Sequence, residues 1–277
     1  IGKYILLTKL NFYIGEQMSE IISCPVCSHL LIKEQNTYKC ENNHTFDLAK
    51  EGYLNLLLNA KKTSGDSKEM TAARREFLAK GYYEKLSDRV NQRLKKSYST
   101  DQAILDIGCG EGYYTAQIAE ALPNADGYAL DISKEAVKRA CKRNPALTWL
   151  IASMARVPLA SGSCQFLASV FSPLDWEEAK RLLSPGGGLM KVGPTAGHLM
   201  ELRERLYDEV REYTDDKHLA LVPDGMSLAH SETLAFTLSL AEPQDRANLL
   251  AMTPHGWRAS AERRAEVIGA AEPLQVT

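Results

Sequence analysis

The sequence has no run of 18 or more apolar residues, and this absence excludes a transmembrane helix. It also has little net charge, because 33 Lys and Arg residues are balanced by 35 Asp and Glu. A chain that binds nucleic acid as a uniform polycation is therefore excluded, and any basic surface must be local. No internal repeat or low-complexity tract is present. The composition, 44% hydrophobic and 25% charged, is that of an ordinary globular protein with a full core.

Cysteine is sparse and unevenly placed, with three of the six residues clustered and three scattered. The scattered three fall within segments that are typical of a cytosolic α/β protein, so we expect reduced thiols and a cytoplasmic location. The cysteines are Cys24, Cys27, Cys40, Cys109, Cys141 and Cys164.

The chain divides into four segments. Residues 1–18 hold one short apolar run, do not begin with Met and lack a signal-peptide cleavage site, so we expect an extension without function. Residues 19–47 are short, polar and Cys-rich, and predict a small β module. Residues 48–100 predict a linker with helices near 70–80 and 84–96, and residues 101–277 the main domain.

Strand-like and helical patterns alternate from residue 103 onward. Strands are predicted at 103–107, 127–130, 147–151, 166–170 and 189–192. Helices are predicted up to 121, at 133–143, at 175–183 with Asp175 and Glu178 as a capping box, and at about 198–213. This alternation predicts a doubly wound, Rossmann-like α/β sheet with right-handed crossovers.

A metal-binding pattern lies in the Cys-rich module. Cys24-Pro-Val-Cys27 is followed by Cys40 and, after three intervening residues, by His44. Three thiolates and one imidazole suit tetrahedral Zn²⁺, and four protein ligands leave no open position, so the spacing predicts a structural site. His29 is a rival ligand, and a redox Cys-x-x-Cys is the alternative to a metal site.

A glycine-rich turn follows the first strand of the main domain, with Gly108, Gly110 and Gly112. Glycines let the backbone turn sharply into a helix and approach a ligand closely, and the helix N-terminus favours polar or anionic groups. The spacing Gly-x-Gly-x-Gly differs from the Gly-x-Gly-x-x-Gly of dinucleotide-binding domains. A Rossmann-like domain that binds NAD, or nothing, remains the alternative.

Two carboxylates indicate which kind of ligand the glycine turn binds. Asp106 precedes the glycines, where it can bind the amino group of a methionine moiety, and Asp131 ends the second strand, where it can bind both ribose hydroxyls. Pro185-Gly186-Gly187 precedes the fifth strand. Over about residues 101–195 the chain resembles the class I S-adenosylmethionine-dependent methyltransferases.

With both patterns in view, residues 20–275 resemble the bacterial 23S rRNA (guanine-N1)-methyltransferase family. The resemblance is carried by six segments: Cys24–Cys27, His44–Asn55, Ala73–Tyr83, Leu105–Tyr114, Gly197–Leu202 and Met252–Trp257. It implies zinc on Cys24, Cys27, Cys40 and His44. It also implies S-adenosylmethionine contacts at Tyr83, Gly110, Glu111 and His198, and 23S rRNA as the partner. A homodimer is compatible with the sequence.

The segment that we expect to contact the methyl acceptor, and the C-terminal end of the sequence, differ from the family pattern. Phe171-Ser172-Pro173-Leu174 stands where an aromatic-Ala-Pro is more usual, and the family has a further strand after the position of Thr277. Phe171, Ser172 and Pro173 follow the fourth strand at the ligand-binding edge, so we expect them to line a base pocket. The catalytic base is open among Asp175, His198 and Glu201.

A group of basic residues precedes the main domain and has two interpretations, a solvated face or a contact to RNA phosphates. The rival functions are a small-molecule or protein methyltransferase and a non-catalytic RNA-binding factor. The basic residues are Lys61, Lys62, Lys68, Arg74 and Arg75.

Overall fold

The computed structural model describes residues 2–9, 20–58, 66–98, 102–210, 222–270 and 273–276. Its strands are β1 (Gly2–Lys9), β2 (Ile32–Glu34), β3 (Thr37–Lys39), β4 (Thr45–Asp47), β5 (Tyr53–Asn55), β6 (Ile104–Ile107), β7 (Gly127–Asp131), β8 (Thr148–Ile151), β9 (Cys164–Val170), β10 (Leu183–Pro194), β11 (Met226–Thr233), β12 (Phe236–Leu238) and β13 (Leu274–Val276). Its helices are α1 (Lys68–Ala79), α2 (Glu84–Ser97), α3 (Tyr113–Ala121), α4 (Lys134–Arg143), α5 (Trp176–Leu182), α6 (Met200–Leu206), α7 (Pro243–Ala251), α8 (Pro254–Arg258) and α9 (Ala261–Gly269).

Eight strands form one sheet in the order β11-β1-β10-β9-β6-β7-β8-β5. The pairs from β10 to β5 are all parallel, while β1 is antiparallel to both β10 and β11. The doubly wound α/β sheet is therefore confirmed. Its carboxyl edge collects the ends of β6, β7 and β9, where the predicted cofactor and base residues lie.

Both faces of the sheet are covered. Along β9, Phe166 and Ala168 belong to one buried cluster, with α2 and the carboxyl-terminal helices, while Leu167 belongs to a second. Successive strand residues point to opposite faces, so a strand that is buried on both sides has a nearly continuous apolar sequence. This is why Phe166–Val170, in which only Ser169 is polar, could be recognised as a central strand from sequence.

The Cys-rich module is a three-stranded antiparallel sheet, β2-β3-β4, that packs directly against the large sheet. The Ser23 N–H donates to the Pro158 carbonyl at 2.9 Å, and the Ala160 N–H donates to the Ile21 carbonyl at 2.8 Å. Cys24 and Cys40 are buried in the same cluster as Leu105. The module is therefore continuous with the core of the main domain.

Two segments expected outside the main domain supply strands to it. Gly2–Lys9 lies between β10 and β11, with Ile5, Leu6 and Leu7 buried, although residues 1–18 were expected to be an extension. Tyr53–Asn55, within the predicted linker 48–100, pairs with β8 at the edge of the sheet. A local pattern does not reveal such strands, because the partners that bury them are distant in sequence.

Capping residues in the sequence predict the starts of α4 and α5, but not every hydrogen bond that forms there. Ser133 and Asp175 cap α4 and α5 as expected, and Asp175 Oδ1 accepts from the Glu178 N–H at 3.0 Å. The reciprocal half of the predicted capping box is wrong, since Glu178 instead accepts from the Val157 N–H. The long helix expected at 198–213 is also wrong in extent: α6 ends at Leu206, and Tyr207 is extended.

Candidate functional site

The predicted metal ligands converge on one point. The ligand atoms of Cys24, Cys27, Cys40 and His44 all lie within 4.8 Å of one another. The Cys40 sulfur lies 3.4 Å from His44 Nδ1, and the Cys27 and Cys40 sulfurs are 3.6 Å apart. Three sulfurs and one imidazole nitrogen in one closed cluster are the donor set of structural Zn²⁺, so the residues fit this metal.

His29 lies beside the cluster and is not one of its four members. Its Nε2 pairs with Glu41 at 2.8 Å, and its Nδ1 lies 3.2 Å from the Asn42 amide nitrogen. The backbone N–H of His29, with help from its imidazole, lowers the pKa of Cys27 to about 5, which favours the thiolate that a metal requires. His29, the rival ligand, therefore lies next to the Cys₃His cluster and does not belong to it.

The glycine turn between β6 and α3 has the backbone that its sequence predicts. Gly108 and Gly112 have φ angles of +77° and +79°, in the left-handed region that favours glycine. A Cβ on Gly112 would lie 2.8 Å from the Trp149 ring. A Cβ on Gly108 would lie 1.8 Å from Ser172 Oγ, so the turn packs directly against the loop after β9.

Two acids at this turn keep unused acceptors. Asp106 Oδ2 accepts from Thr115 Oγ1 at 2.5 Å, while Oδ1 is buried and has no partner among the residues that the structure describes. Burial raises the pKa of Asp106 to about 6. Glu111 pairs through Oε2 with Arg143 at 2.7 Å, and its Oε1 is likewise unpartnered. Buried acceptors without donors are costly, so these two oxygens fit a ligand that brings N–H or O–H groups.

Asp131 is fixed by the backbone around it. Its Oδ2 accepts from the Gly110 N–H at 2.9 Å and its Oδ1 from the Ser133 N–H at 2.7 Å. Each carboxylate oxygen has a second lone pair, so ribose hydroxyls can still be bound. Burial raises the pKa of this carboxyl, while the two N–H donors oppose the shift.

Three other predicted residues form an aromatic cluster beside the turn. The Phe171 ring lies 6.1 Å from the Tyr83 ring and 5.9 Å from the His198 ring, measured between centroids. Phe171 has a φ of +52° and a side chain that is 38% exposed, whereas Tyr83 is buried. Burial lowers the pKa of His198 to about 3, so its imidazole is neutral at physiological pH. Non-glycine residues with positive φ are concentrated at functional sites.

Lys191, which the sequence analysis did not identify, donates hydrogen bonds to the end of β9 and to the loop that carries Phe171. Lys191 Nζ donates to Ser169 Oγ at 3.1 Å and to the Ser172 carbonyl. Lysine is rarely buried, and Lys191 lies in an apolar stretch of β10, which was the available signal. Pro173 follows in the same loop, and Ser172 Oγ donates to its carbonyl at 3.2 Å.

The candidate bases have other partners. Asp175 caps α5, and Glu201 Oε2 accepts from the Gln275 N–H at 3.1 Å. His198, with its lowered pKa, is a weak base near neutral pH. The structure therefore assigns none of the three as the base.

Among the basic residues of the predicted linker, Arg74 lies at the cofactor turn. It forms an ion pair with Asp66, and its Nη1 would lie 3.7 Å from a Cβ on Gly110. Lys68 and Arg75 are exposed, while Lys61 and Lys62 fall outside the described residues. The RNA-contact interpretation of the basic residues stays a prediction.

Comparison with known proteins agrees with this geometry. Residues 22–65 match a zinc-ribbon family model described as "RlmA, N-terminal", and residues 104–187 match a methyltransferase domain. A 23S rRNA (guanine(748)-N(1))-methyltransferase of Streptomyces fradiae is 34% identical over 92% of this chain and 94% of its own length. A Bacillus subtilis relative is 32% identical over 87% of the chain and 88% of its own length, and its name assigns 23S rRNA guanine-N1 methylation provisionally.

A glycine turn with two acids, each of which keeps one buried oxygen without a partner among the described residues, is joined to a Cys₃His zinc ribbon and defines the class: the chain is an S-adenosylmethionine-dependent methyltransferase with a structural zinc site. It belongs to the bacterial 23S rRNA (guanine-N1)-methyltransferase family. Among the residues that the structure describes, no helix has the length and apolar character needed to cross a membrane.

Proposed function

We propose that this protein methylates N1 of a guanine in a hairpin loop of 23S rRNA, in the cytoplasm. The observation that carries the proposal is the contact between the aromatic cluster and the cofactor turn. Ser172 packs on Gly108, and the next residue back, Phe171, presents an exposed ring beside Tyr83 and His198. A flat base stacked on Phe171 therefore lies next to the end of the cofactor site.

The chemistry of the substrate agrees with an open, aromatic pocket. N1 lies on the Watson–Crick edge of guanine, so the base must be unpaired or flipped out before it can react. S-adenosylmethionine supplies an electrophilic methyl group on a sulfonium, and in-line approach of N1 then depends mainly on positioning. The neutral His198 adds no positive charge beside that sulfonium.

The predicted cofactor contacts divide into two groups around this pocket. We propose that Asp106, Glu111 and the glycines form the methionine end and that Asp131 lies at the ribose end, in agreement with their hydrogen bonds and unpaired oxygens. We propose that Tyr83 and His198 close the side that faces the base, with Phe171, Ser172 and Pro173 as its floor. One relative named as a 23S rRNA guanine-N1 methyltransferase, and another named so provisionally, support this substrate.

The test is transfer of labelled methyl groups to 23S rRNA. We expect the purified protein to label a hairpin fragment and to leave free guanosine and a fully paired duplex unlabelled. Phe171→Ala should reduce labelling of RNA by about 5- to 150-fold while the Kd for S-adenosylmethionine stays within a factor of about three, since stacking on an aromatic ring contributes about 1–3 kcal/mol. Efficient labelling of free nucleosides would contradict the RNA substrate.

A further inference from the structure

We propose that Arg74 binds the carboxylate of the methionine moiety of S-adenosylmethionine and makes the site selective for cofactors that carry this group. The proposal rests on the cofactor of the proposed function and is independent of the RNA substrate. Arg74 belongs to helix α1, which precedes the methyltransferase domain in sequence.

Contacts from three directions hold the guanidinium over the glycine turn. Arg74 pairs with Asp66, and its Nη2 donates to the Met252 carbonyl at 3.2 Å. The Asp66 carbonyl accepts from Ser133 Oγ at 3.0 Å, and the backbone N–H of Ser133 donates to Asp131. Helix α1, the start of α4 and the end of α7 therefore fix Arg74 relative to the ligand-binding acids.

The position of the guanidinium is that of a ligand contact. Nη1 lies 3.7 Å from the place where a Cβ on Gly110 would be, so the absence of that side chain leaves the guanidinium facing the bare turn. Arg74 opposes the burial-raised pKa of both Glu111 and Asp131, which places it within electrostatic reach of both carboxyls. Its side chain is 25% exposed, so a ligand can reach it.

The charges of the methionine moiety suit an arginine at this position. The moiety carries one ammonium and one carboxylate, and the oxygens of Asp106 and Glu111 that lack a partner among the described residues can accept from the ammonium. The carboxylate then needs donors at the same turn, and Arg74 can supply them. Arg143 is paired with Glu111 and lies over the Tyr113 ring, and Arg75 acts on Glu111, whereas Arg74 acts on both Glu111 and Asp131.

Arg74 has donors to spare. A guanidinium has five N–H groups, and the contacts to Asp66 and Met252 use two of them. The planar arrangement of the remaining donors suits a carboxylate, which lysine does not match. The same side chain can therefore keep its protein contacts and bind the ligand.

The experiment compares two ligands that differ in this one group, S-adenosylmethionine and decarboxylated S-adenosylmethionine, by calorimetry on the full chain. The wild type should bind the decarboxylated ligand about 10- to 100-fold more weakly, the range for hydrogen bonds between charged groups. Arg74→Met should weaken binding of S-adenosylmethionine by a similar factor and leave the decarboxylated ligand nearly unaffected, so that the preference disappears. Arg75→Met, at the exposed neighbour on the same helix, is the matched control and should keep the full preference.

Arg74→Lys keeps the charge and provides a second, milder variant, with thermal melting as the check on folding. It should retain part of the preference. The proposal is overturned if the wild type binds both ligands equally, or if folded Arg74→Met and Arg74→Lys discriminate between them as well as the wild type. Either result leaves the RNA substrate intact, because rRNA labelling by the wild type is measured separately.

Discussion

We expect protonation of Asp106 to be coupled to cofactor binding. Its pKa is raised to about 6 by burial, whereas a carboxyl in the unfolded chain titrates near 4. Between these values the folded chain binds more protons than the unfolded one, so this group lowers the free energy of unfolding as the pH rises from about 4 to about 6. A ligand ammonium beside Oδ1 favours the ionised form and reverses this penalty.

We therefore predict that S-adenosylmethionine binding releases a proton near pH 5.5 and that affinity increases as the pH rises through 6. Calorimetry at pH 5.5 and 7.5, in buffers of different ionisation enthalpy, measures the release. The matched variant Asp106→Asn should release fewer protons than the wild type at pH 5.5. Equal proton release by the wild type and this variant would show that Asp106 does not titrate on binding.

Gly108 joins the cofactor turn to the base loop, because its Cα faces Ser172 Oγ. We predict that Gly108→Ala weakens cofactor binding at least tenfold and destabilises the fold by about 2 kcal/mol or more, from backbone strain and steric overlap together. Gly162→Ala is the matched control: its φ is +68°, but a Cβ there meets nothing within 4 Å. Gly162→Ala should lower the free energy of unfolding only through backbone strain, by about 1 kcal/mol. Urea unfolding and cofactor titration of both variants measure the difference, and equal losses would mean that the contact with Ser172 is unimportant.

At the scale of elements, the zinc module and the large sheet share one apolar cluster, in which Cys24 and Cys40 lie with Leu105 and Leu159. Loss of the metal would leave its ligands unbound inside that cluster. The unfolding of the module is therefore expected to be coupled to that of the sheet.

The corresponding prediction is that chelation, or Cys24→Ser, lowers the melting temperature of the whole chain in a single calorimetric transition. The wild type should contain about one zinc per chain by elemental analysis. His29→Ala, which changes a neighbour of the cluster, should retain the metal. Two separate transitions, with the larger one unchanged by chelation, would contradict the coupling.

Elements whose signal is local could be predicted from sequence, and elements that depend on distant partners could not. Ser133 and Asp175 cap helices through hydrogen bonds within three residues, and the run Phe166–Val170 is apolar apart from Ser169 because both faces are covered. In contrast, β1 and β5 are strands because β10 and β8 lie beside them. The sequence contains no local mark of that proximity.

The site shows the same division. The zinc ligands and the turn of Gly108, Gly110 and Gly112 are short patterns, and spacing was enough to find them. The approach of Arg74 to this turn joins helix α1 to a loop more than 30 residues away, so only the fold could show it. Sequence reasoning treated Arg74 as part of a charge run, with a solvated face and RNA contacts as its two interpretations.

At the scale of the whole molecule, the carboxyl edge of the sheet gathers residues that lie far apart in the sequence, from Arg74 to His198. Helix α1 lies over the glycine turn, and the loop after β9 carries Phe171 to the same edge, while the zinc ribbon packs against the sheet in a shared apolar cluster. A base that stacks on Phe171 is thereby placed beside the methyl donor site. The position of the methyl group on the product base reports directly on this arrangement.

The most direct test of N1 methylation is nucleoside mass spectrometry of 23S rRNA after reaction with S-adenosylmethionine. We predict that the transferred methyl group is recovered as 1-methylguanosine. We also predict that reverse transcription stops beside one guanine in a hairpin loop, because N1 methylation blocks Watson–Crick pairing. Asp131→Ala, which removes the carboxylate at the ribose end, should yield little of this product. Recovery of the methyl group in another nucleoside, or at paired guanines, would contradict the account.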